Sequence, residues 1–147
     1  MSLVIKNLQC TLGNILVLNQ INLALNTGEF IGILGANGAG KSTLIKCIAQ
    51  IQQYQSGEIY WQNQNLQQYN TQNLAQQRAV LTQQIQVGFN FISKEVVMMG
   101  RYGHMGLLRR PSAADRAAVS DALARVGMTD FRTRQIGELS GGQRQRI

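Results

Sequence analysis

Nine consecutive residues, Gly35-Ala36-Asn37-Gly38-Ala39-Gly40-Lys41-Ser42-Thr43, carry the densest chemistry in the chain. Gly35, Gly40, Lys41 and Ser42 stand at the spacing of a phosphate-binding loop. Glycines let the backbone turn its N–H groups inward around phosphate oxygens. A helix beginning at Lys41 adds the partial positive charge of its N-terminus. In such a loop the lysine ammonium reaches the β- and γ-phosphates, and the Ser42 hydroxyl can ligate Mg2+. A chance arrangement would need four fixed positions and a strand–loop–helix context to coincide.

A second cluster is Leu139-Ser140-Gly141-Gly142-Gln143. Ser140 suits a helix N-cap, and the glycines after it leave bare N–H groups where an anion could be held. Taken alone, this pentapeptide is equally an ordinary glycine-rich helix cap. His104 is the only histidine, and a lone histidine makes no metal site. Cys10 and Cys47 lack metal-ligand spacing and read as reduced core thiols of a cytosolic protein.

Positioning these residues requires strands ahead of the first loop and helices around the second. Val4, Ile5 and Leu8 form one apolar run, and residues 15–18 form another. Ile21, Leu23 and Leu25 alternate with Asn22 and Ala24, the period of a half-buried strand. Asn26-Thr27-Gly28 is turn chemistry. Phe30-Ile31-Gly32-Ile33-Leu34 predicts a strand buried on both faces, as in a parallel sheet. Leu44, Ile45, Ile48 and Ile51 predict the helix after the loop. Ser56-Gly57 is a turn before a strand over 58–61. The Gln- and Asn-rich stretch to Gln77 reads as loop and short helix, and Ala79-Val80-Leu81 as a short strand. Residues 94–99 read as a helical turn. Ser112 caps a helix whose face is Ala118, Val119, Ala122, Leu123 and Val126, and Gly127 ends it.

The chain has 147 residues, 44% hydrophobic and 14% charged, and no stretch approaches the roughly 18 unbroken apolar residues of a membrane span. Collagen, coiled coil, disulfide mini-protein and integral membrane protein are excluded, and no signal peptide is expected. The net charge of +7, from 14 basic and 7 acidic residues, suits a phosphate ligand and an anionic membrane neighbourhood. Direct nucleic-acid binding is not expected, because no basic run extends beyond Arg109-Arg110 and no stacking motif is present.

With the phosphate loop upstream, Leu139-Ser140-Gly141-Gly142-Gln143 followed by Arg144-Gln145-Arg146 resembles the signature motif of the ABC ATPases. The resemblance covers the whole chain. It implies an α/β fold with a P-loop NTPase core, an antiparallel β subdomain and a helical signature subdomain. Residues 1–83 would hold the β subdomain and P-loop core, and residues 84–147 the helical subdomain. It implies ATP and Mg2+ as ligands, with ATP held by Gly35, Asn37, Gly38, Gly40, Lys41, Ser42 and Thr43. Leu139, Ser140, Gly141, Gly142 and Gln143 would meet the γ-phosphate held by a second copy in a homodimer. A glutamine sensor should follow a strand. Gln83 in Ala79-Val80-Leu81-Thr82-Gln83 fits, with Gln84 as its rival and a surface glutamine as the plain alternative. Ser42 and Gln83 would meet Mg2+ through the nucleotide. Family members carry an early aromatic residue against adenine, and Leu12 stands at that position here.

The resemblance further implies the ATP-binding subunit of a bacterial ABC importer. It would power uptake of a transition-metal cation or an iron chelate such as hemin, docked on an integral membrane permease at the cytoplasmic face of the inner membrane. The alternative is a soluble ABC ATPase acting on nucleic acid or ribosomes. The short spacing between the two motifs and the segment 98–104 favour the importer. Residues 57–97 resemble ATPases of hemin and ferric-chelate importers, and residues 98–147 those of manganese, zinc and iron importers. All 11 Asn precede residue 91, and nine of the 10 Arg follow residue 100. A join of two related ATPases near residues 90–100 and ordinary regional bias both fit. His104 is expected at the surface meeting the permease. Phe89, Phe91, Met98 and Met99 read as core packing or as an apolar docking patch. The family's Mg2+-binding Asp, general-base Glu and switch His have no match. The domain is therefore expected to be incomplete at its C-terminal side, with its catalytic base unknown.

Replacing Leu12 with an aromatic residue tests the adenine position. Leu12→Tyr is expected to tighten ATP binding by about 0.5–1.5 kcal/mol through stacking. Titration with a fluorescent ATP analogue reads the change, and equal or weaker affinity would place Leu12 away from the base.

Overall fold

A turn at Gly13, with φ of +58°, folds β1 (Leu3–Leu12) back on β2 (Ile15–Leu25). β3 (Ser56–Trp61) pairs with the other edge of β1, and the two-residue β4 (Gln64–Asn65) extends β3. The sheet order is β2-β1-β3-β4, and every pairing is antiparallel. The computed structural model describes residues 2–81, 91–105 and 110–147. They divide into two units, Met1–Asn70 and Thr71–Ile147.

In the first unit the alternation along β1 buries Leu3, Ile5, Leu8 and Cys10, with Leu18 and Ile59 from the flanking strands. α1 (Lys41–Ile48) adds Leu44 and Cys47 to this core. Its buried face therefore differs from the expected one: Ile45 is exposed, and Ile51 lies beyond the helix end. The antiparallel pairing of β1 and β3 shifts register between Lys6 and Gln9. Gly57 sits opposite that irregularity with φ of +95°, and a Cβ there would lie 2.5 Å from Leu8 Cα. Only glycine lets the two backbones approach so closely.

Two predicted strands are not strands. Residues 30–34 stay outside the sheet, with Phe30 96% and Leu34 95% exposed. Residues 79–81 are also unpaired, and Val80 and Leu81 are exposed. A run that is apolar on both faces becomes a strand only when neighbours pair both of its edges. No described strand pairs with either run. α2 (Thr71–Gln77) groups with the second unit, where Gln76 Nε2 donates to Gly103 O at 2.6 Å.

The second unit packs α3 (Ser93–Met99), α4 (Ala113–Arg125) and α5 (Gly141–Arg146). Val119, Leu123, Met128, Ile136 and Leu139 form its core, with Val96, Val97, Met98 and Phe131 packed against it. Ser112 caps α4 as expected: its Oγ accepts from Asp115 N–H at 3.2 Å, and Ser112 N–H donates to Asp115 Oδ2 at 3.0 Å. Gly127 follows the helix with φ of +67°. Arg101 Nε lies 3.1 Å from Asp115 Oδ1. The Ser112 hydroxyl and N–H, and then Arg101, hold the Asp115 carboxyl down to about 2, below its ordinary 3.8.

This shift sets a pH dependence. The folded carboxyl titrates below the unfolded one, so its stabilisation is complete above about 3.8 and is lost as pH falls through about 2. Asp115→Asn is expected to lower the thermal midpoint at neutral pH. The gap to wild type should narrow as pH falls through that window, as read by circular dichroism melts.

Candidate functional site

The loop of residues 35–40 leads directly into α1, and its geometry depends on two glycines. Gly38 and Gly40 both have φ of +84°, a region open to glycine. Gly40 is buried against β2, and a Cβ there would lie 2.9 Å from both Leu18 Cδ2 and the Val17 carbonyl. Position 40 therefore requires glycine for backbone angle and for space. Gly40 is also the N-cap of α1, so the helix start has no side-chain cap. Ala39 N–H donates to Ala36 O at 3.2 Å, and Leu44 N–H donates to Gly40 O at 2.9 Å.

Lys41 is the first residue of α1, yet its side chain turns back over the loop. Its Nζ donates to Gly35 O at 2.7 Å and to Ala36 O at 2.6 Å. The ammonium is thus held across the mouth of the loop by neutral acceptors, which a more strongly accepting phosphate can replace. Ser42 is exposed at the helix start, Thr43 is half-buried, and Gly35, Asn37 and Gly38 are exposed. All seven expected ATP-binding residues therefore lie on one continuous loop and helix turn. An uncapped helix start, a glycine-rich backbone and a lysine ammonium together form a donor set that can hold phosphate oxygens.

α1 is anchored by the cysteines. Cys10 and Cys47 are free and fully buried. Burial and then the neighbouring Cys10 push the Cys47 thiol up to about 12, which leaves it unreactive. Leu12 pairs with Ile15 at the turn end of the hairpin. Leu12 is 39% and Ile15 69% exposed. Ile15 is a neighbour that sequence reasoning missed. Its signal was the two-residue turn that places it across from Leu12.

In the second unit Ser140 caps α5. Gln143 N–H donates to Ser140 Oγ at 3.3 Å, and Ser140 N–H donates to Gln143 Oε1 at 2.9 Å. Leu139 is buried in the core, and Gly141 and Gly142 are exposed at the helix start. The reciprocal role of Gln143 was also missed, although Ser-x-x-Gln is the pattern for it. Gln83, Gln84 and Phe89 lie outside the described residues. His104 is exposed on a turn beside the 60% exposed Tyr102.

Five of the seven carboxylates are engaged within the fold. Glu29 accepts from Asn26, Glu58 from the Tyr60 hydroxyl and Glu95 from Ile92 N–H. Asp115 and Asp121 pair with Arg101 and Arg125. No metal-binding cluster of three His, Cys, Asp or Glu occurs among the described residues.

The ABC transporter family profile matches residues 18–147. The petrobactin import ATP-binding protein FpuD of Bacillus anthracis is 37% identical over 141 residues, covering 96% of this chain and 52% of the relative. The manganese transport system ATP-binding protein MntB of Bacillus subtilis (strain 168) is 43% identical over 133 residues, covering 89% of this chain and 51% of that protein. The ATP-binding cassette MJ0796, solved as a dimer in a post-hydrolysis state with ADP and Pi, superposes with a TM-score of 0.79. It is 25% identical, with 98% of this chain and 66% of that one covered. The chain spans about half the length of the curated relatives it matches. Matched along most of its length in sequence and in fold, it belongs to the ABC transporter family and carries the ABC ATPase domain fold.

Proposed function

We propose that this chain acts in the ATP-binding subunit of an importer for a transition-metal cation or an iron chelate such as hemin. The reading is carried by Lys41, whose ammonium is held over the glycine loop at the uncapped start of α1. The ATP-binding role and the metal or iron-chelate cargo follow the relatives, which are named for petrobactin and manganese transport. A soluble ATPase acting on nucleic acid is not favoured by these relatives.

In this reading Lys41 exchanges the Gly35 and Ala36 carbonyls for phosphate oxygens. The N–H groups of residues 38–42 would hold the phosphates, and Ser42 and Gln83 would meet Mg2+ through the nucleotide. ATP and Mg2+ supply the phosphoryl group and its charge neutralisation. Ser140, Gly141 and Gly142 offer a hydroxyl and N–H groups to a second copy's nucleotide, so closure of a homodimer follows binding. A membrane permease is the second partner, at the cytoplasmic face of the inner membrane. No helix among the described residues is long and apolar enough to cross a membrane itself.

The two carboxylates of the first unit, Glu29 and Glu58, bond to Asn26 and Tyr60, so neither is disposed as a base beside Lys41. Phosphoryl transfer to water needs a positioned nucleophile as well as a phosphate cradle. Residues 1–147 alone are therefore expected to bind nucleotide weakly at best and to show no sustained phosphate release with Mg-ATP. Turnover abolished by Lys41→Ala would show that a base is present in this chain. In fluorescent ATP-analogue titration, Lys41→Ala itself is expected to remove most nucleotide binding. Unchanged affinity would contradict the assignment of the loop.

A further inference from the structure

Two nucleophilic side chains in the first unit take no part in the nucleotide reading. Cys10 lies on β1 and Cys47 on α1, and both are free and fully buried. The fold brings the two thiols into hydrogen-bonding contact with each other. Cys10 Sγ also donates to Gln53 O at 3.5 Å, in the segment that follows α1. Cys10 thus spends its hydrogen on that carbonyl, which leaves its sulfur to accept from Cys47. They are the chain's two cysteines, so no other thiol of the chain competes for either one.

While α1 is docked, solvent reaches neither sulfur. Access requires α1 to lift from the sheet. The helix has eight residues, of which only Leu44 and Cys47 are buried, and its start has no side-chain cap. Local opening of so short and exposed an element costs less than global unfolding. Lifting α1 also disturbs the phosphate loop, because Gly40 is both the N-cap of the helix and the residue packed on Val17 and Leu18. Exposure of Cys47 and loss of the loop geometry are therefore one event.

We propose that Cys10 and Cys47 form a reversible disulfide that ties α1 to β1, with oxidation gated by the opening of α1. The oxidant is a small disulfide such as oxidised glutathione. In the opened chain the Cys47 thiol loses its proton to water, and its thiolate attacks one sulfur of that disulfide. The other half leaves as a thiolate. Cys10 then gives up its proton and attacks the Cys47 sulfur, expelling the second glutathione thiolate. Two protein thiols are oxidised to one disulfide, and one glutathione disulfide is reduced to two thiols. An excess of the small thiol reverses both steps. The proposal rests on the ATP reading in one consequence: nucleotide held at the start of α1 keeps the helix down and slows oxidation.

The test treats the full 147-residue chain with mixtures of oxidised and reduced glutathione. Acid quenching, alkylation and intact mass then count thiols, disulfides and glutathione adducts. The expected product is the intrachain disulfide, with no alkylated thiol and no retained glutathione. Its equilibrium constant against glutathione should exceed the value in concentrated urea at least about tenfold, because the fold holds the two sulfurs together. Glutathione adducts alone, or a native constant no higher than the urea value, would overturn the proposal. Cys10→Ser should stop at the adduct on Cys47. With ATP at about ten times its Kd, oxidation should slow about tenfold. An unchanged speed in a chain that analogue titration shows to be loaded would overturn the gating by α1. Lys41→Ala should form the same disulfide at the unliganded speed with ATP present, so failure of the thiol pair and failure of the nucleotide loop give separate results.

Discussion

The close approach of Gly40 to β2 is the constraint on which the first unit depends. A β-carbon at that position would strike both the Val17 carbonyl and Leu18. Its absence lets the start of α1 sit directly against the sheet, with Leu44 and Cys47 reaching the core that contains Cys10 and Leu18. The same backbone angle that permits this contact directs the loop over the helix start. Backbone angle and close packing are thus both met by one residue type at one position. A side chain there would disturb both, because the loop has no other buried anchor before Lys41.

The two glycine-rich motifs handle a common problem in different ways. Every helix start carries N–H groups without intrahelical acceptors. At α1 no side chain caps them, and the Lys41 ammonium rests on two loop carbonyls. At α5 the Ser140 hydroxyl accepts from Gln143 N–H, and the Gln143 amide returns a bond to the Ser140 backbone. The first start leaves its N–H groups without a side-chain acceptor. The second is braced, with Leu139 buried behind it and two exposed glycines in front.

Charge is distributed by the same economy. Most carboxylates are consumed locally, in caps, turns and ion pairs. The basic residues outnumber them two to one. The exposed charge is therefore predominantly cationic. The Asp115 site shows the stabilising side of this arrangement. Ser112 and Arg101 together keep its carboxyl ionised at the start of α4, where a negative charge also complements the helix dipole.

Local chemistry was legible wherever a residue's role depends on its neighbours in the chain. The glycine backbone angles at positions 38 and 40, the Ser112 and Ser140 caps, the Gly127 helix stop and the alternation of β2 all follow from backbone geometry over a few residues. Tertiary structure decided the rest. Residues 30–34 and 79–81 carry strand composition, but pairing needs a partner edge, which no local pattern can supply. The exposed Ile45 shows the same limit: α1 presents Leu44 and Cys47 because the sheet lies on that side. Composition made Cys10 and Cys47 core candidates; their meeting between β1 and α1 required the close approach at Gly40. The shared core of α3 and α4 is likewise tertiary, because sequence spacing alone does not measure how closely two helices pack.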